Sequence, residues 1–551
     1  MRRLFLVLAS AGFIGLLAFS NPGERYFEIT KNLDIFATLF KEVNAYYVDE
    51  VNPNLLMKTG IESMLASLDP YTNYIPEDDI EDYRTMTTGE YGGIGAVIGN
   101  INGKNIIILP YKDFPANKSG LMIGDEIINI DGVDVTQKST SEISQLLKGQ
   151  ANTPLEVTVQ RYMHTEPLSF TLTREKITID NVPFYGMVDH NTGYIKLSDF
   201  TTGAGKEVKK ALDALKKQGA EKIVLDLRDN PGGLLNEAVN VANIFVSQGS
   251  EIVSTKGKVT DWNKTYRALN NPADIDIPLA VLTSRRSASA SEIVAGVIQD
   301  YDRGILVGEK TFGKGLVQAT RPLTYNSQLK ITTAKYYIPS GRCIQSINYS
   351  ERNENGGARH IPDSLKVAFR TKNGRMVYDG GGVDPDLAVE ARDFTPITQS
   401  LIARGLIFTY AVKYRHEHPE VAPLEDFSIS DADYDEFVAW LADKDYDYTT
   451  RVEKTIETLK AMAVKEKYFD KIEDAIESLS SEVQHNKEQD LQEFRAEIMN
   501  QLNIRIAEQY YLSEGSYSTS LKEDVQLQEA IRALNNREDY NKILARAPSG
   551  L

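Results

Sequence analysis

Three short segments of this 551-residue chain carry side chains suited to acyl-transfer chemistry. The first is Thr283-Ser284-Arg285-Arg286-Ser287-Ala288-Ser289-Ala290-Ser291-Glu292, which follows an apolar run and opens a helical pattern. A serine at such a junction lies where the first helical N–H groups lack partners and the helix dipole is positive. Negative charge developing on a tetrahedral intermediate is stabilised there. Serines also cap helices without any catalytic role, which is the ordinary reading of an isolated serine cluster. The second segment is Thr311-Phe312-Gly313-Lys314-Gly315-Leu316-Val317-Gln318. Glycines on both sides of Lys314 permit a tight turn and close backbone approach. A lysine acts as a base only after losing its proton, and lowering an ordinary pKa of ~10.4 by about 3 units corresponds to ~4 kcal/mol. Burial beside Phe312 and Leu316 would supply that shift by desolvation, whereas an exposed lysine would be merely solvated. The third segment, Asp226-Leu227-Arg228-Asp229-Asn230-Pro231-Gly232-Gly233-Leu234, is a strand-to-helix turn whose glycine N–H groups can face a cavity. Alone it is a loop.

The alternatives that histidine or metal would supply have no such support. The six histidines stand outside all three segments, and no His/Glu pair has ligand spacing. A Ser-His-Asp triad and metal catalysis are therefore disfavoured against a lysine base.

Residues 180–395 must position these segments. They alternate short apolar strands (Ile223–Leu227, Pro278–Leu282, Ile305–Gly308) with helices (Leu234–Phe245, Glu292–Asp300), the pattern of an α/β core with parallel pairing. Ahead of it, residues 30–85 read as helices with apolar faces at Leu33, Phe36, Phe40, Val43 and Tyr47, then at Ile61, Met64, Leu65 and Leu68. From Gly89 the pattern turns to strands and glycine turns. Tyr91-Gly92-Gly93-Ile94-Gly95-Ala96-Val97-Ile98 and the stretch Ser119–Gly132, with a helix near Ser141–Lys148, resemble a PDZ domain. Glycines before a strand aim successive N–H groups into one concavity that can hold a peptide carboxylate, and Ala96–Ile98 offers an edge for strand addition. Ile143 and Leu147 are placed to line an apolar pocket. After residue 396 the chain is acidic and helical.

The bulk numbers bound the rest. A length of 551 residues implies about three or four domains. A net charge of −17, with no basic stripe, argues against nucleic acid as a partner. Arg2 and Arg3 precede an uncharged run from Leu4 to Phe19, followed by Ser20, Asn21 and Pro22, as in a secretory signal peptide; an uncleaved anchor is the alternative. Cys343 is the single cysteine, so no intramolecular disulfide forms, and it reads as a small residue in a packed turn.

Taken together, Ser287–Glu292, Thr311–Gln318 and Leu227–Gly233 resemble the C-terminal processing peptidases, tail-specific serine proteases of the S41 type. The resemblance covers about residues 35–395. It extends to Leu68–Thr72, Tyr337–Arg342 and Asp379–Pro385, and Ser289 and Lys314 have the family's spacing of 25 residues. It implies a multidomain α/β chain: a crotonase/Clp-protease-like serine protease core with an inserted PDZ domain, an N-terminal helical segment and a C-terminal helical extension. The boundaries are 1–20 for the signal peptide or anchor, 24–87 for the helical segment, 88–165 for the PDZ domain, 175–395 for the core and 396–551 for the extension. By the same resemblance Ser289 is the nucleophile, Lys314 the general base, and Gln318 orients the lysine amine. Gly232 or Gly233, with Ala290, supply the oxyanion hole. Four residues span ~13 Å when extended but ~6 Å over a helical turn, so the Lys314–Gln318 contact requires a bend or a sideways reach. The groove is assigned to Gly92, Gly93, Ile94, Gly95, Ala96, Val97, Ile98, Ile143 and Leu147. Lys148 stands where relatives carry a gating arginine, keeping the charge without the bidentate fork. The implied partners are protein substrates with apolar or unfolded C-terminal tails; an adaptor and a second copy of the chain are further candidates. No cofactor is implied, and the implied location is the periplasm or the outer face of the inner membrane. An inactive PDZ scaffold is the competing function, and a related core running other acyl chemistry is a third.

Overall fold

The structure is a computed structural model that describes residues 22–352, 357–483 and 487–545; the apolar leader 1–20 lies outside them. None of the described helices is long and apolar enough to cross a membrane. The chain divides into two compact units, one of residues up to Tyr74 with Leu329–Ile331, the other of the remainder. The first contains α1 (Pro22–Tyr46) and α2 (Pro53–Ala66). Asn52 caps α2 by accepting from the Asn54 and Leu55 N–H groups, and Pro53 fits the first helical position, where no N–H is needed. Much of the apolar face of α1 is exposed, including Leu33 and Phe36.

The second unit starts with α3 (Ile80–Thr88), which ends at Gly89 in the left-handed region. Next comes an antiparallel sheet of β1 (Ala96–Ile101), β2 (Lys104–Pro110), β3 (Glu126–Ile130), β4 (Pro154–Gln160) and β5 (Leu168–Thr173), ordered β1-β2-β3-β4-β5. Helix α4 (Thr140–Leu147) opens with a capping box between Ser139 and Glu142 and buries Ile143 and Leu147 against the sheet. Among the described residues β1 pairs with β2 alone, so its other edge is open.

The serine, lysine and glycine segments follow strands of a six-stranded sheet: β6 (Phe184–Met187), β7 (Thr192–Lys196), β8 (Lys222–Asp226), β9 (Leu279–Thr283), β10 (Ile305–Gly308) and β11 (Leu387–Ala388). Spatial order follows chain order; β6 is antiparallel to β7 and every later neighbour is parallel. With strands in sequence and crossovers of one hand, α5 (Ala204–Lys217), α6 (Leu235–Phe245) and α7 (Ala290–Asp300) fall on one face. That face buries Ile195, Ile223, Leu225, Leu279, Val281 and Leu306. The alternate residues Tyr194, Val224, Ala280, Leu282, Ile305 and Val307 point to the other face, which no crossover covers.

The last helices of the chain cover it. After α8 (Leu406–Glu417) and α9 (Arg495–Ser520), α10 (Val525–Asn535) and α11 (Arg537–Leu544) bring Leu527, Ala530, Ala533, Leu534 and Tyr540 onto that face. Burying Leu527 and Leu534 there contributes roughly 2 kcal/mol each. The stretch read from sequence as an extension beyond the core thus completes it as a third layer. Its earlier part reaches the PDZ-like sheet. Asn102 Nδ2 donates to the Arg404 carbonyl at 3.1 Å, and a Cβ on Gly124 would come within 2.6 Å of Val412.

Candidate active site

The Ser287–Glu292 segment spans the junction from β9 to α7. Ser289 has φ 54° and ψ −110°, a sharp turn that an L-residue adopts only under strain. Neighbouring hydrogen bonds hold that turn. Ser287 Oγ donates to the Leu227 carbonyl at 2.8 Å, Ser291 Oγ to the Asn230 carbonyl at 2.9 Å, and the Ala288 N–H to the same Asn230 oxygen at 3.0 Å. Both outer serines are fully buried staples between the turn and the loop after β8, whereas Ser289 is partly exposed.

The lysine segment is brought to this turn by one carboxylate. Glu292 Oε2 accepts from the Ser289 N–H and the Lys314 N–H, each at 2.8 Å. Its Oε1 accepts from Thr311 Oγ1 at 2.6 Å and the Gly313 N–H at 2.7 Å. On the carbonyl side, the Tyr336 hydroxyl lies 2.7 Å from the Lys314 oxygen and 3.1 Å from the Ser289 oxygen, its single proton shared between them. The backbones of residues 25 positions apart are thus held at both their N–H and C=O groups by two side chains. Glu292 is fully buried, and burial pushes its carboxyl up to about 7 although the four hydrogen bonds favour the charged form. Lys314 itself is half-buried; Leu316 beside it is buried, but the Phe312 ring is 46% exposed and does not supply the enclosure expected of it.

Gly232 packs directly on the serine: a Cβ there would lie 2.8 Å from Ser289 Cβ and 2.7 Å from the Ala288 oxygen, and its φ of 98° also demands glycine. The Gly232 N–H donates to Asn230 Oδ1 at 2.9 Å, while the buried Asn230 amide donates to the Leu197 carbonyl at 2.8 Å. Gly233 is exposed and bridges to Phe200, and Ala290 is the first residue of α7. Gln318 lies in the strand Leu316–Pro322, with Nε2 donating to Thr332 Oγ1 at 3.2 Å. The segment is therefore extended, and a Lys314–Gln318 contact requires the lysine to lie lengthwise along it.

The groove residues fall into two sets. Ala96, Val97 and Ile98 lie on the open-edged strand β1; Gly92 and Gly93 end a short strand, Glu90–Gly93, paired antiparallel with Glu175–Thr178, and Gly95, at φ 72°, lies in the turn between that strand and β1. Ile94, Ile143 and Leu147 are 3%, 0% and 5% exposed and packed inside the domain. Lys148 ends α4, with its amine 2.7 Å from Asp82 of α3 and over the Tyr91 ring. Among the described residues no cluster of His, Cys, Asp or Glu could hold a metal ion.

Glu292, Asn230 and Tyr336 were given no role from sequence. Glu292 had a signal, since a glutamate three residues after a serine is a capping-box pattern. Tyr336 had none.

Three family models match parts of the chain. Peptidase family S41 matches residues 191–350, a PDZ domain 97–161, and the "Probable PDZ-protease, C-terminal helical domain" 397–534. A carboxy-terminal-processing protease of Bartonella bacilliformis is 37% identical over 321 residues, covering 58% of this chain and 73% of the relative. A probable CtpA-like serine protease of Staphylococcus aureus is 36% identical over 316 residues, 57% of this chain and 62% of the relative. Among solved structures, a photosystem II D1 C-terminal processing protease is 28% identical with a TM-score of 0.35, covering 64% of this chain and 92% of that one.

Proposed function

The chain belongs to peptidase family S41, and from that premise we propose that it is a serine endopeptidase cutting exported proteins near their C-termini through Ser289 and Lys314. The observation that carries this reading is the joint clamp on the two residues: both N–H groups on Glu292 Oε2 and both carbonyls at Tyr336. Two burdened neighbours support the choice of serine, because Ser287 and Ser291 commit their hydroxyls to buried carbonyls.

In this mechanism Ser289 Oγ attacks the scissile carbonyl while the Lys314 amine takes its proton. The oxyanion is met by the N–H groups of Gly233 and Ala290 at the positive end of α7, since the Gly232 N–H is already directed to Asn230. The lysine returns the proton to the leaving amine, and the C–N bond breaks to leave an ester on Ser289. Water, deprotonated by Lys314, then hydrolyses that ester. Gln318 is held through Nε2 by Thr332, which frees its carbonyl oxygen to accept from the lysine amine.

The substrate tail adds to β1 as a further strand, its carboxylate at the turn Ile94–Gly95 that precedes it. Burial of Ile143 and Leu147 makes the pocket conditional on the tail displacing core packing. Arg2, Arg3 and the run Leu4–Phe19 support export, to the periplasm or the outer face of the inner membrane.

The test incubates the protein with an unfolded substrate ending in an apolar tail, beside the Ser289→Ala variant, and reads fragments by mass spectrometry. Cleavage near the tail by the wild type alone is expected. Tail binding by both forms without cleavage would favour the inactive scaffold, and cleavage by the alanine variant would remove Ser289 as nucleophile.

A further inference from the structure

The loop that carries Gly232 and Gly233 leaves the sheet through an ion cluster whose last member comes from the far end of the chain. Asp226, the final residue of β8, is 1% exposed and accepts from Tyr194 OH at 2.6 Å. Burial alone would raise its pKa; the charges of Lys196 and Arg228 instead hold it well below the usual carboxylate range. Arg228 pairs with Asp226 through Nε and one terminal nitrogen, at 3.0 and 2.6 Å to Oδ2. Its guanidinium also grips Asp524 with both terminal nitrogens, at 3.0 and 2.6 Å, and Gln526 Oε1 at 2.9 Å. Lys196 Nζ fixes the Arg228 carbonyl at 2.7 Å. Two carboxylates thus balance two cations in a largely buried site.

Asp524 is also the N-cap of α10, accepting from the Gln526 and Leu527 N–H groups, both at 3.0 Å. Gln526 is tied in turn to the Val389 carbonyl at 2.7 Å. The start of α10 is therefore rigidly placed, and Arg228 is held from that side. Immediately after Arg228 the chain turns through Asp229, at φ 61°, into Asn230, Gly232 and Gly233. Gly232, the glycine that packs on Ser289, lies four residues after Arg228 on this loop.

We propose that Asp524 is a positioning residue of the peptidase: through Arg228 it fixes the loop Asp229–Gly233 against Ser289. The final helices are then required for the acyl-transfer step as well as for covering the sheet. This rests on the proposed function for its kinetic consequence and on the ion cluster for its structural one. Asp524 touches no reacting atom. Its loss leaves Arg228 paired with Asp226 and bonded to Gln526, in a cluster with one uncompensated positive charge.

The test uses the full chain with Asp524→Asn, because asparagine caps a helix as well as aspartate through Oδ1, while the charge pairing and the hydrogen bond from Arg228 to Oδ2 are lost. Asp524→Glu keeps the charge. Tyr540→Phe serves as control, since it removes the Tyr540–Leu279 hydrogen bonds from the same helical layer without touching the loop. Hydrogen exchange at residues 229–234 and steady-state kinetics are read together. Asp524→Asn is expected to speed exchange there by about tenfold and to lower kcat by about tenfold or more, with KM nearly unchanged, as for a loss felt in the transition state. Glutamate recovers part of both, and Tyr540→Phe changes neither loop exchange nor kcat. Wild-type exchange in the asparagine variant, or equal effects from Tyr540→Phe, would overturn the proposal. If the wild type itself does not cleave, the peptidase reading fails, and the exchange comparison still decides the role of Asp524.

Discussion

Replacing Glu292 by glutamine separates the two forces acting on the carboxyl at the centre of the site. Burial raises its pKa from 4.5 to about 7. A raised acid pKa means the folded protein keeps a proton that the unfolded chain releases. Between pH 4.5 and 7 the unfolded state therefore binds fewer protons, and stability falls as pH rises. At ~1.4 kcal/mol per pKa unit this group alone removes roughly 3 kcal/mol across that window, with no further loss above it. Glutamine does not titrate. Its oxygen can accept from the Ser289 and Lys314 N–H groups, and its NH₂ then faces Thr311 and the Gly313 N–H. The Thr311 hydroxyl can rotate to accept, but Gly313 is left with a buried donor, a cost of about 1–3 kcal/mol. Urea unfolding followed by circular dichroism at pH 4, 6 and 8 measures the difference between wild type and Glu292→Gln. The difference should move by ~3 kcal/mol in favour of the variant from the lowest to the highest pH. A difference that stays constant across the series would refute the reasoning: the four hydrogen bonds would then offset burial and hold Glu292 charged at an ordinary pKa.

Three further outcomes follow from the geometry. Gly232→Ala places a Cβ 2.7 Å from the Ala288 oxygen at φ 98°, and should cut cleavage by more than about 100-fold with the overall circular dichroism retained. Lys148→Ala removes an ion pair to Asp82 whose side chains are 34% and 59% exposed, so unfolding free energy should change by less than ~1 kcal/mol. If Lys148 is the gate, the dependence of kcat on added tail peptide shifts nevertheless; an unchanged activation curve removes it from that role. A tail peptide N-methylated at the amide facing the open edge of β1 should bind up to about tenfold more weakly by calorimetry than its unmethylated form, and equal affinity would rule out strand addition.

Short-range chemistry was legible in the chain. The serine at a strand-to-helix junction, the lysine between glycines and the glycine turn after Asp226 are local patterns, and each lies where the sequence places it. The strands and helices of the α/β core were readable for the same reason, because apolar runs and helical periodicity are set within a few residues. Which serine stays exposed was not: the commitment of Ser287 and Ser291 depends on carbonyls about 60 residues away. Nor was the clamp, since Tyr336 reaches Ser289 across 47 positions. The largest gap was the third layer. Leu527, Ala530, Ala533 and Leu534 declare an apolar helix face, but a face does not name its partner. That partner is determined by the sheet, whose sequential strand order puts its three long crossover helices on one side and leaves the other to be covered by whatever the chain supplies last.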